Sequence, residues 1–170
     1  MENAGLIYRS TATRSAKTPL SHYADKACFK IYSLDVGLLG AISRTPVELL
    51  SPGNRIFNEY DGAFVENFAA QQLMAHFGKP LYYWRSKGGK AELDFLCEIS
   101  GRIYPIEVKA GVNPRSKSLR SYDVQFSPSL LSKASLLNLK KDGKILNLPL
   151  YALSLLADMV APDAPKKIFL

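Results

Sequence analysis

The segment from Ala91 to Gly111, AELDFLCEISGRIYPIEVKAG, constrains the fold most, because it predicts two strands joined by a tight turn. In its first half, apolar and acidic residues alternate, which is the period-two pattern of a half-buried strand. The acids Glu92, Asp94 and Glu98 are predicted on one face, and the opposite face is predicted to hold Ala91, Leu93, Phe95, Cys97 and Ile99. Ser100 and Gly101 interrupt this pattern, and alternation resumes from Ile103 to Ala110. The sequence therefore predicts a β-hairpin with Ser100 and Gly101 as the two residues of its turn.

The length of this turn decides which charged residues of the hairpin face each other. A two-residue turn places Asp94 opposite Glu107. It also places Glu92 opposite Lys109. Directly opposed side chains lie about 5 Å apart, and like charges there are destabilising unless a cation lies between them. A divalent metal ion is one candidate for that cation, and Lys109 is the other. A three-residue turn would instead put the two acids on opposite faces.

A helix is predicted upstream of the hairpin, from Asp61 to Phe77, ending before Gly78 and Pro80. Glu66 falls within the apolar arc of this helix. An unpaired buried carboxylate is very costly, so Glu66 is expected to have a partner. The members of the arc are Val65, Phe68, Ala69, Leu73, His76 and Phe77.

The rest of the chain alternates between predicted strands, short helices and connectors. Ser10 to Lys26 is rich in Ser, Thr and Lys and is interpreted as a connector. A helix capped by Asp35 is expected through Ala41, and Thr45 to Asn58 is expected to be a loop. Further strands are predicted at Phe29 to Leu34, Leu81 to Arg85, Ala134 to Leu139 and Ile145 to Tyr151, with a turn at Lys140 to Lys144 and helices opening near Lys117 and spanning Ala152 to Val160.

Composition fits one ordinary globular domain of 170 residues, of which 47% are hydrophobic. The net charge of +7 permits a polyanionic partner without requiring one. Cys28 and Cys97 lie far apart in the sequence and are expected to be buried, reduced thiols, which favours the cytoplasm. No apolar run is long enough to span a membrane.

Three acids and one lysine form a set with a chemical interpretation. Glu66, Asp94 and Glu107, together with the backbone carbonyl of Val108, are oxygen ligands of the kind that Mg²⁺ prefers, and Mn²⁺ is the alternative ion. Such an ion would polarise a phosphate and acidify an attacking water. Lys109 lies two residues after Glu107 and could orient that water or stabilise the transition state.

The order Glu66, Asp94, then Glu107, Val108 and Lys109 resembles the restriction-endonuclease-like superfamily, whose signature is PD-(D/E)XK. More narrowly, the segments GAFVENFAAQQL, YYWRSKGGKAELDFL and YPIEVKAG, with ENAGLIYR and KIYSLDVGLLGA, are similar to the C-terminal domain of unknown function of prokaryotic AAA-type ATPases. Leu93 stands where the superfamily has its proline. This chain lacks the GxxxxGK[ST] phosphate-binding motif.

The resemblance implies an α/β fold with a restriction-endonuclease-like core, in which helices flank a mixed β-sheet. It also implies that an ATPase and a winged-helix region precede this domain in the same parent chain. Residues 1–50 would then be a linker and partial N-terminal segment, with the end of the winged-helix region followed by a strand and a helix. Residues 51–170 would be the PD-(D/E)XK nuclease-like domain.

Basic residues near the predicted site could follow a nucleic-acid backbone. A solvated loop and helix face explains them equally well. They are Arg85, Lys87 and Lys90 in one group, and Arg115, Lys117 and Arg120 in the other.

Three functional hypotheses follow. The first is a Mg²⁺-dependent nuclease that acts on DNA through the acids and Lys109. The second is a catalytically silent module of the same fold that binds nucleic acid or positions the ATPase. The third is a protein interaction domain for which the basic surface is incidental.

Overall fold

A computed structural model describes residues 1–45, 61–110 and 116–161 of the chain. Within these residues lie eight strands and four α-helices. The strands are β1 (Ile7–Thr13), β2 (Ala24–Ser33), β3 (Leu81–Arg85), β4 (Glu92–Ile99), β5 (Arg102–Val108), β6 (Leu131–Ser135), β7 (Lys140–Asp142) and β8 (Ile145–Pro149). The helices are α1 (Val36–Ile42), α2 (Asp61–Phe77), α3 (Lys117–Phe126) and α4 (Leu156–Val160), with short 3-10 helices at Leu20–Tyr23 and Leu150–Leu155.

All eight strands belong to one mixed sheet in the order β2-β1-β3-β4-β5-β6-β8-β7. The three central strands, β3, β4 and β5, form an antiparallel meander. On one side of the meander β1 runs parallel to β3, and on the other β6 and β8 run parallel to β5. The chain is therefore a mixed α/β protein, as the sequence predicted.

Two hydrophobic cores lie against this sheet. The larger packs α2, through Val65 and Leu73, with Phe95 and Ile106 of the central strands. The smaller joins Trp84 of β3 to Tyr122 of α3, whose rings meet edge to face with centroids 5.3 Å apart. Helices therefore supply the apolar side chains that cover the sheet, and the aromatic residues of the smaller core gain both buried area and favourable ring geometry.

The central hairpin has the predicted turn. Ile99 pairs with Arg102, and both residues of the turn, Ser100 and Gly101, have positive φ angles, of 49° and 73°. Two positive φ angles are what the favoured two-residue hairpin turn requires. One detail of the prediction is wrong: Leu93 packs in the smaller core instead of sharing a face with Phe95. The pairing of β3 with β4 is irregular at this point, and the irregularity interrupts the alternation.

The predicted connector from Ser10 to Lys26 is also wrong, because it contains the end of β1 and the start of β2. β1 lies between β2 and β3, so both of its edges are paired. Ser10 and Thr13 are fully buried there. Small hydroxyl side chains fit a strand enclosed in this way, whereas the same composition in a sequence is typical of a loop. Much of the predicted N-terminal linker thus forms part of the common sheet.

The bounds of α2 and β3 match the prediction, and the predicted cap is confirmed, since the Asp35 side chain accepts from the Leu38 backbone N–H at 2.8 Å. The elements after α3 are shifted: β6 precedes its predicted position, part of the predicted turn forms β7, and the last helix begins as a 3-10 helix. The loop predicted at Thr45 to Asn58 lies, beyond Thr45, outside the described residues.

Both cysteines are free thiols, as predicted, although Cys28 is only half-buried. Burial raises the pKa of the Cys97 thiol to about 12, which keeps it protonated. The described helices include none that is long and apolar enough to cross a membrane.

Candidate active site

Glu66 of α2 has the partner that its position on an apolar arc required. Its Oε1 atom accepts a hydrogen bond from the Tyr32 hydroxyl at 2.5 Å and lies 2.8 Å from the ammonium of Lys30. Both partners come from β2, where alternate residues point to the same face. Burial and the charge of Glu66 raise the pKa of Tyr32 above its usual range, so this hydroxyl stays protonated and donates.

Lys30 lies among three carboxylates. Besides Glu66, its Nζ atom is 2.7 Å from Glu92 Oε1 and 3.8 Å from Asp94 Oδ1. Burial alone would lower the pKa of Lys30, but the charge of Glu66 and the hydrogen bonds to Glu66 and Glu92 outweigh it and raise the pKa above its usual range. The ammonium also lies 5.1 Å from the centre of the Tyr83 ring. Lys30 is therefore a fixed positive charge within the cluster.

Asp94 of β4 is the most strongly perturbed acid of the cluster. Burial and the charge of Glu66 raise its pKa to about 7, against the opposing effects of a hydrogen bond from the Val108 backbone N–H and of Lys30. The Val108 bond, 2.7 Å long, is made to Asp94 Oδ2. Asp94 can thus gain or lose a proton near neutral pH, which is typical of acids at functional sites.

Glu107 of β5 is the most buried acid of the cluster, with 4% of its surface exposed. Its Oε1 atom forms an ion pair with Lys109 Nζ at 2.6 Å. Its Oε2 atom is buried and has no hydrogen-bond partner among the described residues. A buried carboxylate oxygen without a donor is costly, so this atom is the feature of the site that most calls for a further cation or donor.

The contacts of the two lysines agree with the prediction only in part. Glu92, which was predicted opposite Lys109, contacts Lys30 instead. Lys109 contacts Glu107, one of the two acids for which it was the predicted alternative to a metal ion. The backbone pairs of β4 and β5 end with Phe95 and Ile106, one step short of Asp94 and Glu107. The strands separate here, and β5 continues in register with β6, where Glu107 pairs with Lys133.

A metal ion at these acids stays a prediction. In the parts of the chain that the structure describes, no three side chains of His, Cys, Asp or Glu are arranged to hold a metal ion. Lys30 lies among Glu66, Glu92 and Asp94 instead. Glu107 keeps a buried Oε2 atom that has no hydrogen-bond partner among the described residues.

The predicted phosphate-contacting residues are exposed where they are described: Arg85, Lys87, Lys90, Lys117 and Arg120. Arg115 lies outside the described residues. The loop after β3 is held by two bonds between Ser86 and Ala91, each 2.9 Å long. Gly89 in this loop has a φ angle of 72°, and a Cβ atom there would lie 3.0 Å from the Arg85 guanidinium. The two hydrogen bonds therefore fix the ends of the loop, and Lys87 and Lys90 are exposed to solvent between them.

The family model described as "Domain of unknown function (DUF4143)" matches residues 61–152, which include α2, the hairpin and β8. The chain belongs to the DUF4143 family. Glu66, Asp94, Glu107 and Lys109 all lie within the matched residues, whereas Lys30 and Tyr32 precede them.

Two relatives of this DUF4143 chain are "Uncharacterized protein Mb2031c" of Mycobacterium bovis and "Uncharacterized protein Rv2008c" of Mycobacterium tuberculosis. Each is 41% identical over 97 residues, which cover 54% of this chain and 20% of the relative. The matched part of the chain therefore spans about a fifth of these relatives. No solved structure matches the chain significantly.

Sequence reasoning missed Lys30, Tyr32 and Asn67. The available signal was weak: Lys30 and Tyr32 alternate on a predicted strand, and Glu66 needed a cation. Asn67, which was placed outside the apolar arc, is 2% exposed and binds both backbone polar groups of Ser33, at 2.7 and 3.2 Å. It fixes β2 against α2 and so brings Lys30 to Glu66.

Proposed function

We propose that this chain is a PD-(D/E)XK nuclease-like domain that hydrolyses phosphodiester bonds of DNA with a divalent cation. The observation that carries the proposal is the buried Oε2 atom of Glu107, which has no hydrogen-bond partner among the described residues. It lies in a cluster with Asp94, whose pKa is near neutral, and Lys109. The order along the chain of the helix with Glu66, the strand with Asp94 and the strand with Glu107 supports a restriction-endonuclease-like core.

The chemistry of the donors fits Mg²⁺ or Mn²⁺. Both ions prefer oxygen ligands, and Mg²⁺ keeps several waters, so two carboxylates and water can suffice. Asp94 and Glu107 would hold the ion, and it would satisfy the oxygen of Glu107 that lacks a donor. Glu66 belongs to the same cluster but is engaged by Lys30 and Tyr32. We therefore assign Glu66 a supporting role in this arrangement.

When bound, the cation would polarise the scissile phosphate and lower the pKa of an attacking water. The chain's own residues supply the rest. The Val108 N–H holds one oxygen of Asp94 and so fixes the direction of the other. Lys109, about a third exposed, can leave Glu107 to contact a phosphate oxygen and stabilise the charge that develops there. Exposed Arg85, Lys87 and Lys90 would bind neighbouring phosphates.

We also propose that the domain works within a longer chain that carries an ATPase. Its matched part corresponds to about a fifth of its mycobacterial relatives, which leaves ample length in such proteins for further domains. The resemblance to the C-terminal domain of AAA-type ATPases indicates that one of these further domains is an ATPase. Coexpression of the domain with the remainder of its parent chain would test this association by copurification.

Calorimetric titration with Mn²⁺ and Mg²⁺ tests the nuclease proposal. The comparison uses wild type, Asp94→Asn, Glu107→Gln and the matched control Glu98→Gln, which alters an acid of the same strand as Asp94 that bonds the Leu20 backbone instead. We expect one ion per chain in wild type and control, and loss of binding in the other two variants. Cleavage of plasmid or single-stranded DNA should follow the same pattern, and metal uptake unaffected by Asp94→Asn would refute the assignment.

A second candidate is favoured by the position of Lys30. An ammonium within 3.8 Å of three carboxylates neutralises part of the charge that a metal ion would otherwise neutralise. On this alternative the domain keeps the fold and its acids for structure, and it binds nucleic acid or its ATPase without cleaving. Salt-sensitive DNA binding by a chain that takes up no cation would favour this candidate over the nuclease.

A further inference from the structure

Lys30 reaches the acid cluster from β2, outside the order of helix, Asp strand and ExK strand on which the proposed nuclease site rests. Its Nζ atom lies 2.8 Å from Glu66, 2.7 Å from Glu92 and 3.8 Å from Asp94. The side chain is about one quarter exposed. Glu66 and Glu92 therefore lie within hydrogen-bond distance of the ammonium, whereas Asp94 is near enough only for a longer-range attraction between the charges.

The contacts of Lys30 divide the acids into two groups. Glu66 and Glu92 are bound directly by the ammonium, and Glu66 also accepts from Tyr32. Glu107 is bound by Lys109 and retains the unpartnered Oε2 atom. Asp94 lies between the groups, since it is the most distant of the three acids from Lys30 and its pKa responds to the charges of both Glu66 and Glu107.

We propose that Lys30 is a positioning residue that excludes divalent cations from Glu66 and Glu92, so that Asp94 and Glu107 bind the ion alone and weakly. The inference rests on the proposed function in that Asp94 and Glu107 are taken as the ligands. Its physical basis is direct: a fixed positive charge within a few ångströms repels a second cation, and it occupies the oxygens that the ion would use.

The test is the affinity for Mn²⁺ of Lys30→Met, measured by calorimetry on the whole chain. We expect the dissociation constant to fall by about tenfold or more, because one repulsive charge is removed and two carboxylates are released. Lys26→Met is the matched control, since Lys26 is an exposed lysine of the same strand. Lys30→Arg, which keeps the charge, should retain the weak binding of wild type.

The outcomes separate this inference from the proposed function. Equal or weaker Mn²⁺ binding by Lys30→Met than by wild type overturns the inference, while binding by wild type that Asp94→Asn abolishes still supports the proposed site. Binding by Lys30→Met alone supports exclusion of the ion by Lys30 but refutes ion binding by Asp94 and Glu107 in wild type, and with it the proposed function. If neither protein binds the ion, both proposals fail.

Removal of Lys30 leaves adjacent acids without their counter-charge and could prevent folding. The double variant Lys30→Met with Glu92→Gln removes one charge of each sign and avoids most of this cost. Its Mn²⁺ affinity is compared with that of Glu92→Gln alone, after circular dichroism has confirmed that both fold. We expect the double variant to bind about tenfold more tightly; equal affinities would overturn the inference.

Discussion

The carboxylate of Asp94 accepts a hydrogen bond from the backbone N–H of Val108 at 2.7 Å, next to the place where the pairing of β4 with β5 ends. A side chain thus satisfies a backbone donor that the neighbouring strand leaves open. The bond fixes Asp94 beside Glu107 and Lys109, which flank Val108 in the sequence. It also stabilises the charged form of Asp94, which burial disfavours.

The raised pKa of Asp94 predicts how stability depends on pH. Between about pH 4 and pH 7 the folded state keeps a proton that the unfolded state has released. The free energy of unfolding of wild type should therefore fall across this range as the pH rises. Asp94→Asn removes the effect, so its stability relative to wild type should increase by about 2–4 kcal/mol from pH 4.5 to pH 8. Urea denaturation at both pH values measures this.

The exposed Asp158→Asn provides the control for this pH series. Its pH series gives the baseline for the replacement of an exposed carboxyl by an amide. If Asp94→Asn behaves like this control, Asp94 does not titrate in the folded state near neutral pH.

Tyr32→Phe tests the short hydrogen bond to Glu66. The substitution keeps the aromatic ring in the larger core but removes the hydrogen bond from the Tyr32 hydroxyl. The largely buried carboxylate of Glu66 then keeps its contact with Lys30. A hydrogen bond to a charged group contributes about 1.5–3 kcal/mol, so we expect a loss of that size in the free energy of unfolding. Tyr151→Phe, at a ring that is 76% exposed, should change stability by less than about 0.5 kcal/mol. Equal denaturation midpoints for the two variants would contradict this role of Tyr32.

Local signals in the sequence predicted α2, β3 and the hairpin. The reasons are physical: Ser100 and Gly101 suit a turn with two positive φ angles, and the Gly78 to Pro80 segment stops a helix. The need of Glu66 for a partner was also predictable, since it depends only on the helical period.

The identity of that partner was not predictable, because it depends on a long-range pairing. Lys30 reaches Glu66 only because β2 pairs with β1 and β1 with β3, and because Asn67 binds Ser33. None of these relationships has a local periodic signal. The same limitation produced the wrong pairing of Glu92 with Lys109, since the separation of the strands beyond Phe95 reflects the route of β5 toward β6.

Two glycine variants test the hairpin turn. Gly101 has a φ angle of 73°, which an alanine adopts at a cost, so Gly101→Ala should lower the free energy of unfolding by about 1 kcal/mol. Gly62 lies in α2 with open space at its Cβ position. Gly62→Ala should therefore raise stability by up to about 1 kcal/mol. The two changes add the same methyl group, so a loss of stability in both, measured by urea denaturation, would argue against a turn-specific effect.

The loop between β3 and β4 allows a test of phosphate contact that does not depend on cleavage. Under the proposed function, Arg85, Lys87 and Lys90 bind DNA phosphates, and each contact contributes about 0.9 to the slope of log K against log salt concentration. The triple variant with Gln at these positions should therefore bind short duplex DNA more weakly, with a slope smaller by about 2–3. Fluorescence anisotropy over a series of salt concentrations measures both quantities.

The control for this loop variant removes the same charge elsewhere. Lys17, Lys26 and Arg44 are exposed and lie outside the loop, so their triple Gln variant has the same net charge as the loop variant. If it lowers the slope as much, then DNA responds to the overall positive charge of the chain and not to a track beside Asp94. A slope that changes only in the loop variant would place bound DNA at the edge of the acid cluster, where the scissile phosphate of the proposed reaction must lie.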